Sequence, residues 1–427
     1  MTGTSGDWAP LFPVFRSTDL VNWSEVGAVF PAAPPGTTGK FWAPAIAALH
    51  GRFLVYYSAA RRGGPPCVSV ARAPAATGPY RNVGLVSCQP TGSIDPAVSR
   101  DAGGHRYLVW KQKGAGQGVW GAPLTPSGTR LAAAAVRLTL PNAAWEQGVT
   151  EGPDIVFHAG RYYLFYAGGH CCRPPCTYAE GVARSKNILG PYVKAPANPL
   201  LRSGNGWKCP GHGSLVSSPG GLYLVHHAYP EDDPFDLGRE TLLDPVAWGD
   251  DGWPVIGAGG VPVATAAAPL GVAQAPPRPF VDRFTAPALA PGWEWPLAAP
   301  PRVRLAASTV RVGLGTISRA TTSRNFIAIA RPRPEGLLSV LTARGPIGVR
   351  ATRSRGVEVI DGGRVVASLP LQALDVRLDV RDASAIAAYA RAARGPWRPV
   401  GPLLRGDVDR VALGPGTFAD VSVRALP

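Results

Sequence analysis

Six consecutive residues, Val149-Thr150-Glu151-Gly152-Pro153-Asp154, set a carboxylate beside a Gly-Pro corner, at the head of an apolar run that continues through Tyr163-Leu164-Phe165-Tyr166. A second acid, Asp95, stands in Ser93-Ile94-Asp95-Pro96 ahead of a matching run, Tyr107-Leu108-Val109-Trp110. Asp95 precedes Tyr107 by twelve residues, and Glu151 precedes Tyr163 by twelve. Two acids at equivalent places in a repeat can converge on one axis. Paired carboxylates are what glycosidic bond cleavage requires, one to protonate the leaving oxygen and one to activate water or attack.

The elements that must position them repeat. Gly51-Arg52-Phe53-Leu54-Val55-Tyr56-Tyr57-Ser58 resembles the runs around Leu108 and Leu164, and then Gly221-Leu222-Tyr223-Leu224-Val225-His226. The leucines at 54, 108, 164 and 224 are 54, 56 and 60 residues apart. Each copy follows a glycine turn and is rich in aromatic and β-branched residues, which makes it a strand. Further strand-and-turn pieces lie between, two of them closing on Gly78-Pro79-Tyr80 and Gly190-Pro191-Tyr192. Several short strands per period of this size describe the blades of a β-propeller. At the offset of the two acids, the other copies offer Phe41-Trp42-Ala43-Pro44 and Gly211-His212-Gly213, so an aromatic wall and a histidine join the acids. A structural core would call for Val, Ile or Ala there. His226 and His227 follow a blade strand, and one of them faces inward.

Extending the period backwards by about 53 residues from Leu54 reaches Met1. Met1-Thr2-Gly3-Thr4-Ser5 therefore reads as the middle of a blade strand, and the innermost strand of the first blade is expected about a dozen residues upstream of Met1. Neither a basic start nor an apolar centre marks the first residues as an export signal.

The propeller is expected over residues 1–263, followed by an Ala- and Pro-rich linker over 264–279. Residues 280–427 alternate apolar and polar in segments such as Val376-Arg377-Leu378-Asp379-Val380, the pattern of a β-sandwich. The fold class is all-β: a five-bladed propeller with an incomplete first blade, then a jelly-roll sandwich.

Composition limits the alternatives. With 45% hydrophobic and 17% charged residues the 427-residue chain is globular. The formal charge of +15 comes almost wholly from scattered arginines, without a basic helix or run, so no nucleic-acid partner is expected. No apolar run is long enough to span a membrane. The six cysteines (67, 88, 171, 172, 176 and 209) read as disulfides of an exported protein, Cys67 with Cys88 first, since the spacing at 171–176 is not that of a standard zinc site. His170, in that loop, is structural or on a rim.

With these residues in hand, the front domain resembles glycoside hydrolase family 43 over most of residues 1–260. The matching pieces are Phe15-Arg16-Ser17-Thr18-Asp19-Leu20-Val21-Asn22-Trp23, Trp42-Ala43-Pro44, Ser93-Ile94-Asp95-Pro96, Thr150-Glu151-Gly152-Pro153, Gly211-His212-Gly213-Ser214 and Asp251-Gly252-Trp253-Pro254. The rear domain looks like the concanavalin-like sandwich of the family's xylosidase branch. The resemblance implies inverting cleavage of arabinosyl or xylosyl linkages in plant saccharides by an exported enzyme. Glu151 would be the general acid, and Asp95 the aspartate that raises and orients it. His212 would lie near the bottom of the pocket; read from the residues alone, His212 is a sugar contact or a satisfied core histidine, Trp42 a sugar platform or core packing, and Arg239 a candidate pocket contact. No cofactor would be required, although some members hold a calcium or other metal near the position of His212. The family's general base is an Asp-Pro aspartate in the first blade's inner strand. This sequence does not contain that strand, and Asp7 falls after its place, so the chain as written is expected to be nearly inactive. A sugar-binding propeller that has lost its base is the alternative.

Overall fold

A computed structural model describes residues 1–426 other than 234, 236, 237, 277, 322, 354, 355 and 394. The chain divides into two compact units, Met1–Gln274 and the residues from Ala275 onward. The division falls inside the Ala- and Pro-rich stretch, of which Pro277 lies outside the described residues.

The first unit is a propeller. Four blades are four-stranded antiparallel sheets in sequential order. Their first strands are Thr37–Leu49, Ser93–Arg100, Thr150–His158 and Trp207–Ser218. Their second strands are Arg52–Arg61, Arg106–Gln112, Arg161–Gly168 and Gly221–Pro230. First strands of consecutive blades pack on one another and so are innermost. In the remaining blade Leu11–Arg16 pairs with Ser24–Phe30, and on the other side Thr2 bridges Val14. Residues 1–3 thus lie where a second strand lies in the other blades. The Ser17-Thr18-Asp19 corner between its strands is held by Asp19, whose carboxylate accepts the Val21 and Asn22 N–H groups at 2.9 and 2.7 Å.

The repeated leucines are the blade cores. Leu54, Leu108, Leu164 and Leu224 are all at most 1% exposed, and burying each stabilises the fold by about 1.5–3 kcal/mol. The period visible in the sequence is therefore the period of core packing. The six cysteines pair Cys67–Cys88, Cys171–Cys172 and Cys176–Cys209.

The second unit is a branched antiparallel sheet system folded on one apolar core. Its longest strands, Phe326–Thr342 and Arg410–Ala425, run side by side. They pair at Gly336 and Gly416, where a Cβ on Gly416 would stand 2.2 Å from the Gly336 Cα, so only glycine fits. At the domain's entrance, buried Asp282 accepts the Phe284 N–H and the Trp293 indole N–H, each at 2.8 Å.

Candidate active site

Each four-stranded blade begins its inner strand with a β-bulge at the same point. Pairing shifts by one residue after Trp42, Ile94, Glu151 and Gly211. The residue that follows has left-handed φ in every blade: Ala43 at 45°, Asp95 at 56°, Gly152 at 54° and His212 at 54°. A bulge of this kind bends the strand and re-aims its side chains. The N–H groups of these four residues all bond to a side chain of the preceding blade. Ala43 N–H donates to Thr4 Oγ1 at 2.9 Å and Asp95 N–H to Ser58 Oγ at 3.0 Å. Gly152 N–H donates to Asp95 Oδ2 at 3.3 Å, and His212 N–H bonds to Glu180.

The register corrects one inference from spacing. Asp95 is the structural counterpart of Gly152 and His212, whereas Glu151 corresponds to Ile94, Gly211 and Trp42. The hairpin after Arg100 encloses five residues and that after His158 only two. The equal spacing of twelve therefore hides a one-residue offset. The acids still meet, because the Gly152 N–H seats the Asp95 carboxylate beside Glu151.

The residues opposite the bulges matter as much. Ser58, Lys111, Ala167 and His227 are the cross-strand partners of Trp42, Ile94, Glu151 and Gly211. Lys111 Nζ lies 2.5 Å from Glu151 Oε2, and both side chains are largely buried. Tyr178 donates its hydroxyl to Glu151 Oε1 at 2.7 Å. Burial pushes the Glu151 carboxyl up, but the Lys111 charge and hydrogen bond, the Tyr178 hydroxyl and His212 outweigh it and hold the group below its ordinary value. Asp95 moves the other way: burial raises it, His212 opposes, and the Glu151 charge raises it further. The two environments thus push the Asp95 carboxyl up and hold the Glu151 carboxyl down.

His227 faces the same region, its ring stacked on Tyr178 at 5.6 Å and 6.5 Å from His212. An Arg239 N–H lies 3.1 Å from His227 Nε2. A guanidinium can only donate, so Nε2 accepts and the proton sits on Nδ1. Burial, with Arg239 beside it, keeps this imidazole neutral. Its Nδ1–H is a buried donor with no acceptor among the described residues. His226 points into its blade, where Nε2 meets Asp244 Oδ2 at 2.6 Å, and is structural.

Of the residues singled out in the sequence, Asp95, Glu151 and His212 come together directly, and Arg239 joins through His227. Trp42 occupies the Glu151-equivalent position two blades away, partly exposed. His170 lies in the cysteine loop, where its N–H donates to Thr177 Oγ1 at 3.1 Å. Lys111, Tyr178 and His227's specific role were missed. The signal for Lys111 was a lysine closing an otherwise apolar run of the second strand, Tyr107-Leu108-Val109-Trp110-Lys111. Among the described residues no three His, Cys, Asp or Glu side chains are arranged to hold a metal ion, around His212 or elsewhere.

The packing makes one sharp demand. A Cβ on Gly152 would lie 2.7 Å from His212 Cγ and 3.0 Å from its Cα, at a φ of 54°. Gly152→Ala is expected to cost about 1–3 kcal/mol through strain and overpacking. A thermal unfolding midpoint unchanged from wild type would contradict this geometry.

Residues 1–254 match the family model for glycosyl hydrolases family 43. Among curated relatives, the extracellular endo-α-(1→5)-L-arabinanase 1 of Bacillus subtilis (strain 168) is 28% identical over 267 residues, covering 56% of this chain and 78% of the relative. The xylan 1,3-β-xylosidase of a Vibrio species is 30% identical over 335 residues, covering 66% of this chain and 58% of the relative. The chain thus spans less than two thirds of some relatives' length, and half that of the Humicola insolens xylosidase/arabinosidase 43B. Two solved structures share the fold across both domains. The GH43 BlXynB protein from Bacillus licheniformis has a TM-score of 0.79 at 19% identity, covering 99% of this chain and 94% of that one. The xylan β-1,4-xylosidase from Bacillus halodurans C-125 has a TM-score of 0.76 at 21% identity, with the same coverage of 99% and 94%. With the acid pair seated in its propeller and the family model spanning that propeller, the chain belongs to glycosyl hydrolases family 43.

Proposed function

We propose that the propeller hydrolyses arabinosyl or xylosyl linkages of plant saccharides by an inverting acid/base route, with Glu151 protonating the leaving oxygen and Asp95 setting its proton and orientation. The observation that carries this reading is the meeting of two buried carboxylates from adjacent blades, Glu151 and Asp95, across the Gly152 N–H. Trp42 would supply an apolar face for a sugar ring, and the His227 Nδ1–H a donor for a hydroxyl, with Arg239 fixing its tautomer. Three disulfides and relatives named as extracellular support export. The deciding assay follows aryl α-L-arabinofuranoside and β-D-xyloside hydrolysis by NMR. The first-formed sugar should have the anomeric configuration opposite to the substrate's, and retention would overturn the proposal.

The Lys111 contact adds a condition. An acid catalyst must carry its proton, yet the ammonium favours the ionised form. Engagement of substrate must therefore loosen Lys111 from Glu151 before proton transfer. In the free protein, Lys111→Met removes the cation and leaves Tyr178, His212 and Asp95 facing the carboxyl, so the Glu151 pKa should rise. Carboxyl-carbon NMR titration reads this directly, and an unmoved Glu151 would refute the electrostatic role.

A second reading, a sugar-binding propeller without turnover, is favoured by that same clamp on Glu151. Saccharide binding without hydrolysis, even when a small nucleophilic anion is added, would establish it.

A further inference from the structure

Lysine is scarce in this chain. Of 43 basic residues only six are lysines, at 40, 111, 113, 186, 194 and 208. Two of them, Lys111 and Lys113, lie at the acid pair, and Lys40 lies near Lys113. Lys111 is bound to Glu151, as above. Lys113 follows on the same segment, its main chain fixed by its N–H to Gly92 O at 3.0 Å and by its carbonyl, which accepts the Thr91 hydroxyl. Lys40 enters from the neighbouring blade in a left-handed conformation, φ 55°, with its ammonium 5.8 Å from the centre of the Trp42 ring.

Neither the Lys40 nor the Lys113 ammonium has an ion-pair or hydrogen-bond partner among the described residues. Asp7 lies against Gly39, next to Lys40 in the chain, but makes no ion pair with it. Lys113 is half-buried. Burial lowers its pKa, and Lys111 and Lys40 lower it further, while Asp95 and Glu151 pull the other way. Lys111 is thus paired with Glu151, and Lys113 and Lys40 add two further ammonium groups, Lys113 within reach of both carboxyls and Lys40 beside Lys113 and the Trp42 ring. The excess is positive, and its repulsion is left uncompensated by the protein. A neutral pentose has no use for that excess, whereas a carboxylate would relieve it. Flexible ammonium stems, unlike rigid guanidinium forks, suit an anion that swings on a glycan branch.

We infer that Lys40 and Lys113, beside the Trp42 ring, form a subsite for the carboxylate of a uronic-acid residue, so that the preferred substrate is an acidic, uronate-bearing xylose- or arabinose-containing saccharide. The inference rests on the saccharide-hydrolase reading above and specifies its substrate class. The ring of Trp42 takes the apolar face of the sugar, and the two ammonium groups take its charge.

The test compares binding of the full chain, by affinity electrophoresis, to glucuronoarabinoxylan and to the same polymer after chemical reduction of its carboxyl groups to alcohols. Reduction should weaken binding about tenfold, the scale of one charge-assisted contact. The difference should also shrink in about 0.5 M salt, where the screening length is roughly 4 Å. In the Lys40→Met/Lys113→Met variant the acidic polymer should bind like the reduced one, while binding to the reduced polymer is retained. Equal wild-type affinity for both polymers overturns the inference. So does a preference that survives in the double variant, since it would then come from the overall charge of +15. Binding to neither polymer would overturn the saccharide reading beneath it.

Discussion

Azide or formate is expected to raise the cleavage of an aryl xyloside or arabinofuranoside by this 427-residue chain about a hundredfold or more. Inversion needs a carboxylate across the sugar ring from the acid, about 6.5–9.5 Å away, to take a proton from the attacking water. The other buried acids near the pair are spent elsewhere. Asp154 Oδ2 accepts the Leu215 N–H at 2.8 Å, and burial pushes this carboxyl up to about 6. Glu180 Oε2 accepts the Gly213 N–H at 3.4 Å, and burial pushes it up to about 8. Each faces a neighbouring blade's backbone. A small anion that attacks the anomeric carbon directly needs no general base, so it bypasses that step. The azide product should be a glycosyl azide of inverted configuration. Ordinary turnover without added anion, and no acceleration with it, would show that a group within the chain already serves as base.

How far the site could be read in the sequence follows from which interactions are local. The blade period survives as four buried leucines, because each copy solves the same packing problem with the same residue. Asp95, Glu151 and His212 were legible because polar groups stood where a propeller's inner end would otherwise carry Val, Ile or Ala. Cys67 and Cys88 were legible because they flank one hairpin; the pairing of Cys171 with its immediate neighbour was not, since adjacency alone suggested no partner. The one-residue offset between the acids was hidden by unequal hairpins, because register is set by loop length and hydrogen bonding and not by spacing. Lys111, Tyr178 and His227 approach from second and third strands, so their meeting with Glu151 depends on cross-strand and inter-blade contacts that no linear motif contains. The electrostatic consequence was harder still. The resemblance led us to expect an acid whose pKa is raised, whereas the Lys111 contact holds Glu151 down in the unliganded site.

Glu151→Gln tests which acid donates the proton. With azide present to relieve any deficit of base, the variant should lose about 10²–10⁴-fold in rate on an aryl glycoside with a poor leaving group. The loss should be much smaller for a dinitrophenyl glycoside, whose phenolate departs without a proton. That contrast separates proton donation from a general loss of fold. The control is needed because glutamine leaves the Lys111 ammonium, largely buried, without its counter-charge, and removing one partner of a buried pair costs about 3–5 kcal/mol. Glu151→Gln combined with Lys111→Met removes both charges and should recover most of that stability in thermal unfolding while remaining as slow on the poor leaving group. The rival assignment is Asp95, whose carboxyl is pushed up by burial and by the Glu151 charge. If Glu151→Gln kept its rate on the poor leaving group and Asp95→Asn lost it, the acid would be Asp95. The Lys111–Glu151 pair would then be a structural clamp beside it.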